Sequence, residues 1–323
     1  MSALNAHTAV GQKQQGFTLL ELVLVLLILG LIAATPLVFI ENQDGQMRYQ
    51  QTLDKLEQID RALLSKIQHG QQPLLTGFIV ENGVLPVVAS GSSVALMPLL
   101  NKDDDWNKSG SDDWQDYALV TPFYNGVASD ADLPVYAIQK GYRPGGYIRK
   151  DRDSDGLLKD GWGYDFAVSS ADDSYTYGYD PEQSGHPALT PYRQVVSQAL
   201  ASTAWQVPLS QLNLRLVNNS AETRTLALLV FRNAPVADNT ARWTTYAFEV
   251  ANSTAANSFD QALWWVNGTS TAVADLFVPV GLHPLLVVDD AMVPVSAAEA
   301  VLQHHRLLVL PGATQPQIVL EEE

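Results

Sequence analysis

Residues 16–40 read GFTLLELVLVLLILGLIAATPLVFI, and the organisation of the whole chain follows from this stretch. From Leu22 to Ile40 it runs 19 residues without a charge. At about 1.5 Å of rise per residue, a helix of that length matches the roughly 30 Å hydrocarbon core of a bilayer. A secretory signal has a shorter apolar region, about 7 to 15 residues, ahead of a small-residue cleavage site. The run is too long for that pattern, although Ala33 and Ala34 keep the signal-peptide alternative open. One carboxylate, Glu21, stands just inside the apolar run. An ionised carboxylate in or beside hydrocarbon costs on the order of a few kcal/mol unless it is paired. An acid here therefore asks for a partner, the alternative being a side chain that snorkels to the interface.

Outward on the N-terminal side, residues 1–16 (MSALNAHTAVGQKQQG) are polar to mixed, carry a single lysine, Lys13, and show no helical or strand period. They read as a leader. On the C-terminal side, Gly30 and Pro36 predict a bendable helix with a kink or short melted turn near residues 32–36. Beyond it, MRYQQTLDKLEQIDRALLSKIQ from Met47 to Gln68 sets Leu53, Leu56, Ile59, Leu63 and Ile67 at spacings of three and four. That is an amphipathic helix, with a stripe that docks on a globular body.

Gly16, Phe17, Thr18, Leu19, Leu20 and Glu21 match every position of G-[FM]-T-[LI]-[LIV]-E, and the window resembles the class III leader of type IV prepilins and type II secretion pseudopilins. The resemblance covers residues 11 to about 68 and brings with it the family's long N-terminal helix with a buried second half. It implies cleavage by a prepilin peptidase between Gly16 and Phe17, N-methylation of the new Phe17 amine, and pairing of Glu21 with the N-terminal amine of a neighbouring subunit. A buried pair of opposite charges enforces register, because stranding one of them costs roughly 3 to 5 kcal/mol. The resemblance further implies a single-pass anchor in the inner membrane with the globular part in the periplasm, and a periplasmic or extracellular filament after assembly. Its partners would be other pilin or pseudopilin subunits, the prepilin peptidase and the inner-membrane assembly machinery.

Composition bounds the rest. The 323 residues suit two globular pieces behind a stalk, and an apolar fraction of 46% predicts that most of the chain folds. Acidic residues outnumber basic ones 35 to 19, giving a net charge of -16, which repels a phosphate backbone and argues against nucleic-acid binding by the body. The absence of cysteine excludes disulfides, thiolate zinc sites and a cysteine nucleophile.

After His69 and Gly70 the chain breaks into loops with short apolar runs, such as Phe78-Ile79-Val80 and Tyr117–Val120, that read as strands of a small antiparallel sheet. Asp160-Gly161-Trp162-Gly163-Tyr164-Asp165-Phe166 resembles the D-x-W-G-x-x-[YF] segment of major pseudopilins. A turn followed by a strand, with Trp162 and Phe166 filling the core, is the alternative reading. Just upstream, Asp151, Asp153 and Asp155 alternate and Gly156 follows, the first half of a calcium loop. With the Leu157 carbonyl and Asp160 they offer a hard oxygen-ligand set for Ca²⁺, and crowded carboxylates repel one another without a cation. An EF-hand needs an acid at its twelfth position, where this chain has Trp162, so the site either closes differently or is a solvated acidic turn. Asp103–Asp105 and Asp112-Asp113 read as a solvated surface loop, the alternatives being a second ion site or a partner-facing loop.

Residues 184–206 read as a linker with a short helix. From Leu212 onward, LNLRLV, LALLVF, TTYAFEV, ALWWV, ADLFVPV, PLLVV, RLLVL and QIVL predict an all-β sandwich. No HExxH or GxSxG occurs, and His304-His305 would point to opposite faces of a strand, so no enzyme is expected. The expected architecture is α+β: leader 1–16, transmembrane and assembly helix 17–40, amphipathic continuation 41–69, pilin-like region 70–195 and β-sandwich-like domain 205–323. A β domain of that size suits a minor filament subunit and offers a surface for substrate or partner contact. The alternative is a membrane-anchored, calcium-dependent binding or adhesion module that does not polymerise.

Overall fold

The structure is a computed structural model. It describes residues 18–69, 72–86, 96–100, 118–120, 138–143, 145–148, 158–171, 174–179, 196–212, 214–233, 242–251, 253–258, 263–266, 269–272, 276–288, 301–312 and 317–320, with the side chains of 33–42, 68–69, 72–73, 97, 118–120, 170–171, 174, 179, 196–197, 215, 253–258, 263–266, 269–272, 301 and 317–320 outside that description. In chain order it holds helix α1 (Leu19–Leu63), strands β1 (Ser65–His69) and β2 (Gln72–Thr76), and short helices α2 (Phe78–Asn82) and α3 (Met97–Leu100). Strands β3 (Ala118–Val120), β4 (Ile138–Lys140), β5 (Ala167–Ala171), β6 (Ser174–Tyr179) and β7 (Val196–Ala201) follow, then helix α4 (Ser202–Trp205). The remainder is β8 (Gln206–Pro208), β9 (Arg215–Asn218), β10 (Arg224–Phe231), β11 (Trp243–Val250), β12 (Ser253–Ser258), β13 (Leu263–Val266) and β14 (Thr269–Ala272). It closes with β15 (Phe277–Pro279), β16 (Gly281–Val288), β17 (Val301–Val309) and β18 (Gln317–Leu320). The architecture is α+β, with an N-terminal helix, small antiparallel sheets and a β-rich C-terminal part.

The chain divides into two compact units, Met1–Tyr49 and Gln50–Glu323. In the first, the described aliphatic side chains from Leu19 to Ile32 are between 45% and 82% exposed, so this part of α1 is apolar all round and buries none of its faces within its own unit. Helix α1 passes Gly30 and Pro36 without a break, so no melted turn forms near residues 32–36. Proline removes one hydrogen bond from the ladder, a loss a helix of 45 residues absorbs. Among the described residues, no helix is long and apolar enough to cross a membrane, and the run to Ile40 continues through side chains outside the description.

In the second unit the helical period holds to Leu63. Leu56, Ile59 and Leu63 are fully buried in a cluster that also takes in Leu99, Phe166, Tyr175 and Tyr177, while Leu53 is half-buried. Ile67 departs from the expected stripe. The helix ends at Leu63, and β1 pairs antiparallel with β2, setting Ile67 opposite Leu74 with both side chains exposed. The ladder formed with β2 overrides the continuing helical spacing, so the amphipathic continuation stops short of residue 69.

The C-terminal sheet has the order β14-β13-β11-β10-β16-β17, and each of the eight apolar runs predicted as strands overlaps a strand. Every residue of β10 is buried. Leu226, Leu228 and Val230 join the cluster shared with α1, whereas Ala227, Leu229 and Phe231 join a second cluster with Trp243, Ala247, Leu286, Val288 and Ile138 of β4. A strand covered on both faces reads as an unbroken apolar run rather than an alternating one, which is the pattern LALLVF shows. A smaller sheet, β12-β9-β18, has β18 parallel to β9. Val196–Ala201, read as linker, forms β7 and extends the antiparallel sheet β5-β6-β7. Pairing with β6 supplies the backbone partners that the local composition does not announce.

Phe78-Ile79-Val80 is a helical turn, not a strand. Glycines decide this. Gly77 and Gly83 bracket α2 with φ of 120° and 68°, and the Gly83 N–H donates to the Ile79 carbonyl at 2.7 Å, a left-handed helix stop that β-branched side chains do not predict. The turn is fixed by buried polar groups. Asn82 Nδ2 donates to the Phe78 carbonyl at 3.0 Å and to the Tyr147 hydroxyl at 2.9 Å, and Asn82 Oδ1 accepts from Asn233 Nδ2 at 2.8 Å. Buried amides satisfied this fully fix α2 against the end of β10.

Candidate functional site at the helix N-terminus

Gly16 and Phe17 lie outside the described residues, and the description begins at Thr18. Thr18 and Glu21 form a reciprocal pair. The Thr18 N–H donates to Glu21 Oε2 at 3.0 Å, the Thr18 hydroxyl donates to the same oxygen at 3.1 Å, and the Glu21 N–H donates to Thr18 Oγ1 at 3.3 Å. The Leu22 N–H then makes the first helical bond, to the Thr18 carbonyl at 3.2 Å. This is a capping box, with threonine as N-cap and glutamate in the first turn. It satisfies orphan N–H groups and sets a negative charge against the positive end of the helix dipole, an arrangement in which the cap alone is worth about 1 kcal/mol. The sequence carries the signal, Thr-x-x-Glu ahead of an apolar run, although reading Glu21 only as a buried charge leaves it unused. The carboxylate is thus held at the start of α1, three residues beyond Thr18.

Residues 11–35 match the family model of the prokaryotic N-terminal methylation motif. The chain carries a type IV pilin leader. The match spans the Gly16-Phe17 junction, the capping box and the first part of the apolar helix. A leader of this kind supports a pilin-like precursor held at the cell envelope, with other pilin subunits and a prepilin peptidase as its general partners. Neither a curated protein nor a solved structure matches the chain.

Of the candidate metal ligands, Asp151, Asp153, Asp155 and Leu157 lie outside the described residues, and so do Asp103–Asp105 and Asp112-Asp113. Asp160 is described and buried. Its Oδ1 accepts from the N–H groups of Trp162 at 2.8 Å and Tyr164 at 2.9 Å, closing the turn that starts DGWGYDF. That turn sits on α1: Gly161 N–H donates to Thr52 Oγ1 at 2.9 Å, and Lys55 Nζ donates to the Lys159 carbonyl at 2.8 Å. Phe166 fills the core just before β5, while Trp162 is only half-buried. Among the described residues, no group of three acidic or histidine side chains is placed to hold a metal. His304 and His305 lie side by side in β17, the first exposed and the second half-buried.

Proposed function

We propose that this chain is a minor type IV pilin or pseudopilin, cleaved by a prepilin peptidase after Gly16 and built into a filament through packing of α1. The observation that carries the reading is the methylation motif at residues 11–35 with Glu21 held at the first turn of a bare apolar helix. The aliphatic side chains from Leu19 to Ile32 stand exposed, and burying each against lipid or a neighbour's helix is worth about 1.5 to 3 kcal/mol. The segment is therefore held in a bilayer before assembly and in a bundle of helices after it. Within the bundle Glu21 pairs with the amine of a neighbouring Phe17, and the inner-membrane machinery moves the subunit from one environment to the other. The globular part is periplasmic. The C-terminal part, read as a sandwich-like domain, presents a contact surface at the filament, and the chain catalyses no reaction. The test is recovery of the processed chain in filaments sheared from the cell. A processed chain found only in membranes would favour an anchored binding module instead.

The acidic run belongs to the same proposal. Asp151, Asp153, Asp155, the Leu157 carbonyl and Asp160 would hold one Ca²⁺, which would neutralise the crowded carboxylates and order the loop ahead of the DGWGYDF turn. Adding Ca²⁺ should raise the melting temperature reversibly by chelator, and the rise should vanish when Asp153→Ala and Asp155→Ala are combined. A wild-type chain whose melting temperature ignores Ca²⁺ would remove the metal from the account.

A further inference from the structure

His283 of β16 is fully buried, and its Nε2 lies 2.7 Å from the Pro279 carbonyl. A carbonyl only accepts, so Nε2 carries the proton and Nδ1 is the bare nitrogen. Nδ1 is itself buried and meets no hydrogen-bond partner among the described residues. The charges that act on the ring are cations. From β4 comes Lys140, itself buried, whose Nζ donates to the Val80 carbonyl of α2 at 2.5 Å and stands 3.3 Å from where a Cβ on Gly281 of β16 would lie. From the end of β10 comes Arg232, whose guanidinium donates to Thr244 Oγ1 at 3.1 Å, the Tyr246 hydroxyl at 3.0 Å and the Phe277 carbonyl at 3.0 Å. Helix α2 contributes Glu81, whose Oε1 is paired with Arg143 and whose charge acts on Lys140 rather than on the ring. Strand β17 sets apolar Leu307 opposite His283, with Arg306 next to it exposed.

We infer that the joint where α2, β4 and β16 meet is an acid-sensitive latch, closed while the His283 ring is neutral and released when Nδ1 takes a proton. A cationic ring would stand buried beside two further cations, with no acceptor for its new proton. Burial, then Lys140, then Arg232 hold the ring's pKa well below 6.5, against the Pro279 hydrogen bond. The sign follows. With the folded value depressed for a base, the opened or unfolded chain binds the extra proton below about pH 6.5. Stability is therefore intact above that pH and is lost as pH falls below it. What opens is the set of bonds that hold the joint: Gly141 N–H to the Glu81 carbonyl at 2.9 Å, Asn233 N–H to the Asn82 carbonyl at 2.7 Å, and Lys140 to Val80.

The test is native-state hydrogen exchange on the full chain in detergent micelles, following the Gly141 and Asn233 amides and correcting for intrinsic exchange. Below about pH 6.5 the opening constant at these amides should rise toward tenfold per pH unit, the limit for one linked proton. In His283→Gln, where an amide N–H can keep the Pro279 bond, that slope should disappear. Equal slopes in the two proteins would overturn the latch. If the variant does not fold, the wild-type ring is titrated by NMR. A ring that stays neutral in the closed state as pH falls below about 6.5 upholds the inference, and one that protonates there with the two amides still protected overturns it.

Discussion

Glu21→Ala should leave the chain processed and membrane-held but absent from sheared filaments, a loss of tenfold or more in the filament fraction. On the proposed function, the carboxylate has two tasks. In the free subunit it accepts from the Thr18 N–H and hydroxyl and caps α1. In the filament it is the counter-charge for a neighbour's Phe17 amine. Losing the cap costs about 1 kcal/mol of helix-end stability. Losing the counter-charge strands an ammonium in an apolar seam, at roughly 3 to 5 kcal/mol per subunit, and a polymer meets that cost at every contact. The stranded ammonium outweighs the lost cap, so assembly should fail while the helix still forms. Filament recovery measures it: a Glu21→Ala chain that enters filaments as readily as wild type would remove charge pairing from the mechanism.

Gly83→Ala should unfold the second unit or reduce its stability by on the order of 4 kcal/mol, a large share of the 5 to 15 kcal/mol that typically holds a domain. Gly83 has φ of 68°, and a Cβ there would come 2.1 Å from the Phe231 carbonyl oxygen, a backbone atom that cannot swing aside. Gly312 supplies the control. Its φ is 70°, but a Cβ there meets nothing within 4 Å, so Gly312→Ala should cost only the left-handed backbone strain of about 1 to 2 kcal/mol. Urea unfolding of the two variants separates the clash from the backbone preference. Equal losses would mean that the close approach of α2 to β10 does not hold the fold together.

The parts of this protein that could be read from sequence are those where one local signal suffices. The eight apolar runs after Leu212 became strands because each is short, apolar and bounded by turn residues. Leu56, Ile59 and Leu63 fell on one buried face because helical spacing alone places them there. Non-local contacts decided the misses. Ile67 left the helix for a ladder with β2, and Val196–Ala201 took its backbone partners from β6. Phe78–Val80 has the composition of a strand but is turned into a helix by glycines on either side and by Asn233, far along the chain. At the candidate site, Gly16, Phe17 and Glu21 were legible as a motif, and the Thr18 cap was legible in principle from its spacing to Glu21. The His283 joint was not, since its character comes from Lys140 and Arg232, which only the folded chain brings to that ring.

Whether this is a processed pilin-like subunit is decided by the intact mass and first residue of the chain recovered from its native envelope. Processing as proposed gives a chain beginning at Phe17 with a methyl group on its amine. A chain that still begins at Met1, or one cut after Ala34, would contradict it.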